Sequence, residues 1–212
     1  MHDTLPTATP RLAVIGGGPV GLTLALLAHR RCPGWAVSVF DARGRGHDVA
    51  ADPRTLALSL GSVQLLERLG AWPAARAAAI RRVHVSQAPP TLSTPFGEPA
   101  VDMQAAELGV PMLGAVLSYG ALLASLQHAF LGACGAAPGA PGLHARLGDA
   151  VESVSTNGGA VAVTPAGGPP ETFDLAVIAE GGVFAGQARK AVSRDYRQTA
   201  WVGALTLEGA AP

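Results

Sequence analysis

Two cysteines in 212 residues, Cys32 and Cys134, set far apart, exclude a disulfide scaffold. The opening Met1-His2-Asp3-Thr4-Leu5-Pro6 has neither the basic start nor the apolar run of a secretory signal. Charge is scarce as well, at 14% of residues, and the 15 basic and 15 acidic side chains cancel. That balance gives no sign of electrostatic capture of nucleic acid or anionic lipid. No uninterrupted apolar stretch reaches the ~20 residues that span a bilayer. Residues 14–28 come closest, but glycines and a proline interrupt their start. The expectation is a soluble, cytoplasmic protein with reduced thiols, and a peripheral contact with the inner membrane stays open. What is plentiful is apolar: hydrophobic residues make up 49% of the chain, enough for a substantial core. The 27 glycines are spread along the whole length, a background bias and not a low-complexity segment.

Residues 11–15 read as a short buried strand, followed by Gly16-Gly17-Gly18-Pro19-Val20-Gly21 and an apolar helix over residues 22–31. Cys32-Pro33-Gly34 stops that helix, and residues 35–40 alternate as a second strand ending at Asp41. A crossover of that length forces parallel pairing. Residues 42–51 read as a polar loop. A helix follows over about residues 59–69, with Gly70 as its stop. Strands are expected over residues 82–86 and 113–117, with the Pro-rich residues 88–99 as an excursion from the core. Residues 119–131 make a third helix carrying Leu122, Leu123, Leu126 and Phe130 on one side. Further strands are expected over residues 143–147, 150–155, 160–164, 173–179 and 201–207. Asn157-Gly158-Gly159 marks a tight turn. The last of these strands has no partner downstream, so the chain is expected to be the front part of a longer protein.

Gly16, Gly18 and Gly21 form G-x-G-x-x-G at the junction of strand and helix. The first glycine permits the tight turn, the second lets backbone approach a diphosphate, and the third allows close packing of helix on strand. The helix start, with Pro19 in the turn that leads into it, offers free N–H groups and partial positive charge. Asp41 lies twenty residues past Gly21, at the end of the next strand, where a carboxylate can accept both ribose hydroxyls. A carboxylate there disfavours a 2′-phosphate, hence NADP as the resident nucleotide. The fingerprint leaves FAD and NAD both open.

Beyond it, Asp52-Pro53-Arg54-Thr55-Leu56-Ala57-Leu58-Ser59 leads into Leu65-Leu66-Glu67-Arg68-Leu69-Gly70. Later, Asp174-Leu175-Ala176-Val177-Ile178-Ala179-Glu180-Gly181-Gly182 runs on to Asp195-Tyr196-Arg197-Gln198-Thr199-Ala200. These segments resemble the FAD-dependent aromatic hydroxylases, and more narrowly the ubiquinone-biosynthesis hydroxylases of polyprenylated phenols. The resemblance implies FAD as cofactor, NAD(P)H as co-substrate and a small aromatic substrate, prenylated in that subgroup. It also implies association with a membrane surface or a biosynthetic complex. Arg54 occupies the place of an Arg near the flavin, where a guanidinium can neutralise diphosphate or flavin charge. Glu180, Gly181 and Gly182 stand where the family has Asp-Gly-Gly, so Glu180 is one methylene longer than its counterpart. Phe184 replaces a small hydroxyl residue, and Gly120 takes a place where an Arg is often seen. The family's later Gly-Asp-Ala-x-His segment has no counterpart, because Gly148-Asp149-Ala150 lacks the His and reads as a turn.

Other chemistry is thinly represented. His2, His29, His47, His84, His128 and His144 show no metal-ligand spacing, and no nucleophile elbow or Walker segment occurs. Ser118 and Tyr119 read as capping and packing residues at a helix start. The expected fold is α/β: a Rossmann-like parallel sheet of the FAD/NAD(P)-binding, glutathione-reductase-like kind, with a β-meander and part of a β-rich substrate domain. Residues 1–80 and 100–195 would form the FAD-binding domain, and residues 81–99 and 196–212 part of the substrate domain. The expected function is FAD-dependent hydroxylation of an aromatic ring with NAD(P)H and O2, with no catalytic acid or base assigned. An NAD-linked oxidoreductase and a non-catalytic FAD-domain fragment are the alternatives.

Overall fold

The computed structural model describes residues 9–86 and 100–181, together with Arg197 and Thr199. The expected excursion over residues 88–99 and the strand over residues 201–207 lie outside the described residues. Contacts group the chain into two units, Met1–Glu180 and Gly181–Pro212, and every element below belongs to the first.

The centre is a four-stranded, all-parallel sheet. Its strands are β1 (Arg11–Ile15), β2 (Ala36–Asp41), β8 (Gly142–Leu147) and β12 (Leu175–Ile178), in the order β12-β1-β2-β8. A sheet covered on both faces reads as a continuous apolar run, and β2 is buried at every position. One face presents Leu12, Val14, Val37, Val39 and Leu143 to α1 (Pro19–Arg31) and α3 (Tyr119–Ala133). Leu22, Ala25, Leu26, Leu122, Leu126 and Phe130 fill the space between. The alternate residues face the other way. There Phe40 meets Phe173 edge-on, with ring centroids 5.9 Å apart.

Phe173 belongs to the antiparallel meander of β9 (Val151–Asn157), β10 (Ala160–Pro165) and β11 (Glu171–Phe173). Asn157 pairs with Ala160 across Gly158 and Gly159, which have φ of +57° and +91°, so this two-residue turn requires glycine. The run expected as one strand over residues 173–179 is divided at Asp174. Its carboxylate accepts the Arg11 N–H at 2.7 Å and its own N–H donates to the Arg11 carbonyl at 3.0 Å, pinning the step from meander to parallel sheet.

Three strands escaped the sequence reading. β3 (Thr55–Ser59) and β4 (Ala78–Ile80) flank β7 (Gly114–Ser118) in an antiparallel sheet. β6 (Ala100–Gln104) pairs antiparallel with β5 (Arg82–Ser86), and an Arg82–Asp102 ion pair at 2.7 Å crosses that ribbon. Serine ends both β3 and β7 and caps the next helix. Ser59 accepts from the Ser62 N–H at the start of α2 (Leu60–Leu69), and Ser118 from the Ala121 N–H at the start of α3. Gly70, φ +71°, closes α2 as expected, with the Ala71 N–H reaching back to the Leu66 carbonyl at 2.9 Å. No helix among the described residues is long and apolar enough to cross a membrane.

A candidate dinucleotide site at the first glycine turn

The turn after β1 cannot carry side chains. At Gly16, φ +110°, a Cβ would stand 2.7 Å from the Ala179 carbonyl carbon. At Gly21 it would stand 1.9 Å from the Gly16 carbonyl oxygen, so helix and strand approach as closely as backbone allows. Gly18 differs. Its backbone is extended, and the nearest atom to a Cβ there is the Tyr119 hydroxyl at 3.6 Å. Gly17, to which the sequence reading gave no role, has a charged side chain as its tight neighbour, with the Asp41 carboxylate 2.8 Å from where its Cβ would be.

α1 begins at this turn without a side-chain cap. Gly18 has none to give, Pro19 brings no N–H, and no acidic residue occupies the first turn. The serine-capped α2 and α3 show what this helix forgoes. Its first-turn N–H groups and partial positive charge are left for something other than the chain's own side chains.

Asp41 points into the turn, and its side chain is only 9% exposed. Its Oδ2 accepts the Gly17 N–H at 2.6 Å and Arg43 Nη2 at 2.8 Å. Its Oδ1 accepts the Arg43 N–H at 2.8 Å and Arg43 Nε at 2.9 Å. Burial alone would raise the carboxyl's pKa. The bonds from Arg43 and Gly17 outweigh it and hold the group below its ordinary value. The same bonds raise the Arg43 guanidinium above its own ordinary value.

Arg54 forms a second forked pair, with Asp52: Nε lies 3.0 Å from Oδ1 and Nη2 2.6 Å from Oδ2. Its guanidinium also stacks over the Tyr119 ring, 4.3 Å from the centroid. Arg54 is thus both a surface ion pair and, through Tyr119, a neighbour of the glycine turn. The Tyr119 N–H donates to the Arg54 carbonyl at 2.6 Å, and the Asp52 carboxylate holds the Arg54 guanidinium above its ordinary value. Ser118 caps α3 as expected, but Tyr119 does more than pack, since its hydroxyl faces Gly18. No side chain fits at Gly120, where a Cβ would lie 2.4 Å from the Ala50 carbonyl oxygen. The loop crossing there leaves room for backbone alone, and the polar group near the turn comes from the preceding residue.

The end of β12 abuts the turn through backbone. The Ala179 N–H donates to the Ile15 carbonyl at 2.7 Å, and the Glu180 nitrogen would lie 2.8 Å from a Cβ on Gly16. The Glu180 side chain is exposed. Gly181 has φ +68°, which suits glycine, and Gly182 and Phe184 lie outside the described residues. Gly148-Asp149-Ala150 is the expected turn. The Gly148 N–H bonds the carbonyls of Asp41 at 2.8 Å and Arg43 at 3.1 Å, bracing the segment that carries the carboxylate. Gly17, Arg43 and Tyr119 are the residues of this candidate site to which the sequence reading gave no binding role. A lone Arg after a strand looks like a loop charge, and Tyr119 reaches the turn only through tertiary packing.

No protein-family model matches the chain, and no curated protein matches it. Solved structures do. The p-nitrophenol 4-monooxygenase PnpA from Pseudomonas putida DLL-E4 superposes with a TM-score of 0.60 at 18% identity over 88% of this chain and 45% of its own. The 2,6-dihydroxypyridine-3-hydroxylase from Arthrobacter nicotinovorans gives 0.55 at 18% identity over 88% of this chain and 40% of its own. CtdE, solved in complex with FAD, gives 0.56 at 14% identity over 86% and 40%. The fold is therefore the mixed α/β, parallel-sheet fold of the FAD-binding region in flavoprotein monooxygenases. The chain spans less than half the length of each of these neighbours.

Proposed function

We propose that this chain is the FAD-binding portion of a flavin-dependent monooxygenase that hydroxylates an aromatic ring. The observation that carries the reading is Asp41, buried and bonded to the Gly17 N–H beside a helix start left without a cap. The residues present fit a dinucleotide. Gly16, Gly18 and Gly21, with Pro19 in the helix's first turn, would admit the diphosphate to the α1 N–H groups, and Asp41 would accept the ribose hydroxyls. Arg54 and Tyr119 would border the diphosphate, with Arg54 supplying positive charge. The backbone of Glu180 would close the side formed by the end of β12, and Gly181 and Gly182 follow it in the sequence.

Bound FAD would supply the redox chemistry and the activation of oxygen, while the chain's own residues bind, orient and exclude water. NAD(P)H as reductant, a polyprenylated phenol as substrate, a place in ubiquinone biosynthesis and association with a membrane surface or biosynthetic complex rest on the resemblance of the Asp52–Ser59 and Asp174–Gly182 segments. The division of the chain into an FAD-binding domain (residues 1–80 and 100–195) and part of a substrate domain belongs to the same proposal. Titrating the purified chain with FAD, followed by flavin fluorescence, should show saturable binding that an equal concentration of NAD does not match. An absence of saturable FAD binding would reject the reading, and a preference for NAD would replace it with an NAD-linked oxidoreductase.

A further inference from the structure

We infer that Arg43 is a displaceable latch on Asp41, holding the carboxylate closed against a ribose until the ligand exchanges with it. The inference rests on the dinucleotide reading above. An ionised carboxylate has about four acceptor positions, and all four on Asp41 are taken by N–H donors. Two of these donors belong to the backbone and are fixed. The Gly17 N–H sits inside the glycine turn, and the Arg43 N–H lies on a segment whose carbonyls the Gly148 N–H braces. The other two, Nε and Nη2, come from one side chain that is 37% exposed and free to turn outward.

A ribose diol needs two acceptor positions, and the guanidinium holds two. Its planar fork matches the carboxylate geometry, so the exchange is one ligand for one side chain and not a rearrangement of the turn. Once released, the guanidinium stays close by, because the Arg43 N–H remains bonded to Asp41 Oδ1 at 2.8 Å. A ligand with phosphates at the helix start offers the freed charge a new partner. A ligand with a ribose and no phosphate opens the latch without that compensation.

The test compares the intact chain with Arg43→Met, using displacement of FAD fluorescence by adenosine and by 2′-deoxyadenosine. Arg43→Met should bind adenosine roughly tenfold more tightly, the equivalent of one charge-assisted bond no longer exchanged. 2′-Deoxyadenosine, lacking one hydroxyl of the diol, should gain less, and FAD should gain less than adenosine. Arg43→Lys keeps the charge but donates from a single point, and should fall between. It also decides the question if Arg43→Met fails to unfold cooperatively. Equal displacement by adenosine in all three proteins, while each binds FAD, would overturn the latch and leave the cofactor reading standing. Failure of every protein to bind FAD would remove both.

Discussion

The chain writes the same short phrase twice, Asp41-Ala42-Arg43 and Asp52-Pro53-Arg54, and folds it the same way both times. In each, the Arg N–H donates to Asp Oδ1, at 2.8 and 3.0 Å, and the guanidinium forks onto both carboxylate oxygens. Local chemistry produces that shape, since an aspartate readily accepts the N–H two residues on. The surroundings then separate the two. Asp41 gains a third donor group, the Gly17 N–H, and lies buried at the end of β2. Among the described residues Asp52 has no such donor, and the Arg54 side chain is 67% exposed. The same pair is a structural and binding element in one place and a solvated surface contact in the other.

Removing each carboxylate should break the likeness most sharply. Asp41→Ala leaves the buried Gly17 N–H without its acceptor and Arg43 without its partner. We expect a loss of about 2–3 kcal/mol in urea unfolding, discounted because Arg43 is partly exposed. FAD affinity should fall with it, by about 1–3 kcal/mol. Asp52→Ala should leave the unfolding midpoint where it was, because an exposed pair gains little over hydrated ions. Equal losses in the two variants would show that burial does not distinguish the pairs.

A smaller effect should follow from Gly17→Ala, which adds a Cβ 2.8 Å from the Asp41 carboxylate. Either the carboxylate or the turn must shift, at about 1–2 kcal/mol. If that penalty arises at Asp41, the double variant Gly17→Ala/Asp41→Ala should lose less than the sum of the single changes. Additive losses would place the strain elsewhere in the turn.

The acid limb of the stability curve sharpens the contrast further. The folded Asp41 carboxyl titrates below its ordinary value of 3.8, so below that value the unfolded chain takes up a proton that the folded chain still refuses. Its contribution is fully present above the ordinary value and is lost as pH falls through the lower folded one. Asp41→Asn should therefore flatten the decline in urea stability as pH falls below about 4. Asp52 is also held below its ordinary value, by Arg54, but on the surface salt weakens that hold. Repeating the titration in 1 M salt should erase any Asp52 contribution and leave most of that from Asp41.

What the sequence could disclose follows the same division. The order strand, glycine turn, helix, strand and acid is local, and each step had a local cause, from Gly16 to Asp41. The Ser118 cap of α3 and the start of α2 near Ser59 were legible for the same reason, a polar residue before an apolar helix. The contacts that complete the site were not. The Gly17 N–H reaches Asp41 across 24 positions, and the Tyr119 hydroxyl reaches Gly18 from the far end of a different strand. β6 was missed because Asp102 interrupts a short run beside a Pro-rich stretch. Its pairing with β5 is a cross-strand fact.

The Arg54 pair gives the smallest expected effect on folding and for that reason the cleanest reading of binding. Its guanidinium has two local engagements, the Asp52 fork and the Tyr119 ring, and neither is buried enough to hold the fold. Arg54→Ala should leave urea stability unchanged and lower FAD affinity about three- to tenfold, as loss of one charged contact to a diphosphate would. Arg54→Lys restores charge without the planar fork and should recover only part of that loss, because an ammonium neither lies flat on the Tyr119 ring nor presents two parallel donors in one plane. A matching loss of stability in Arg54→Ala would mean that the pair braces the loop over Gly120. Unchanged affinity would leave Asp52–Arg54 a surface ion pair and assign the cationic side of the site to Arg43.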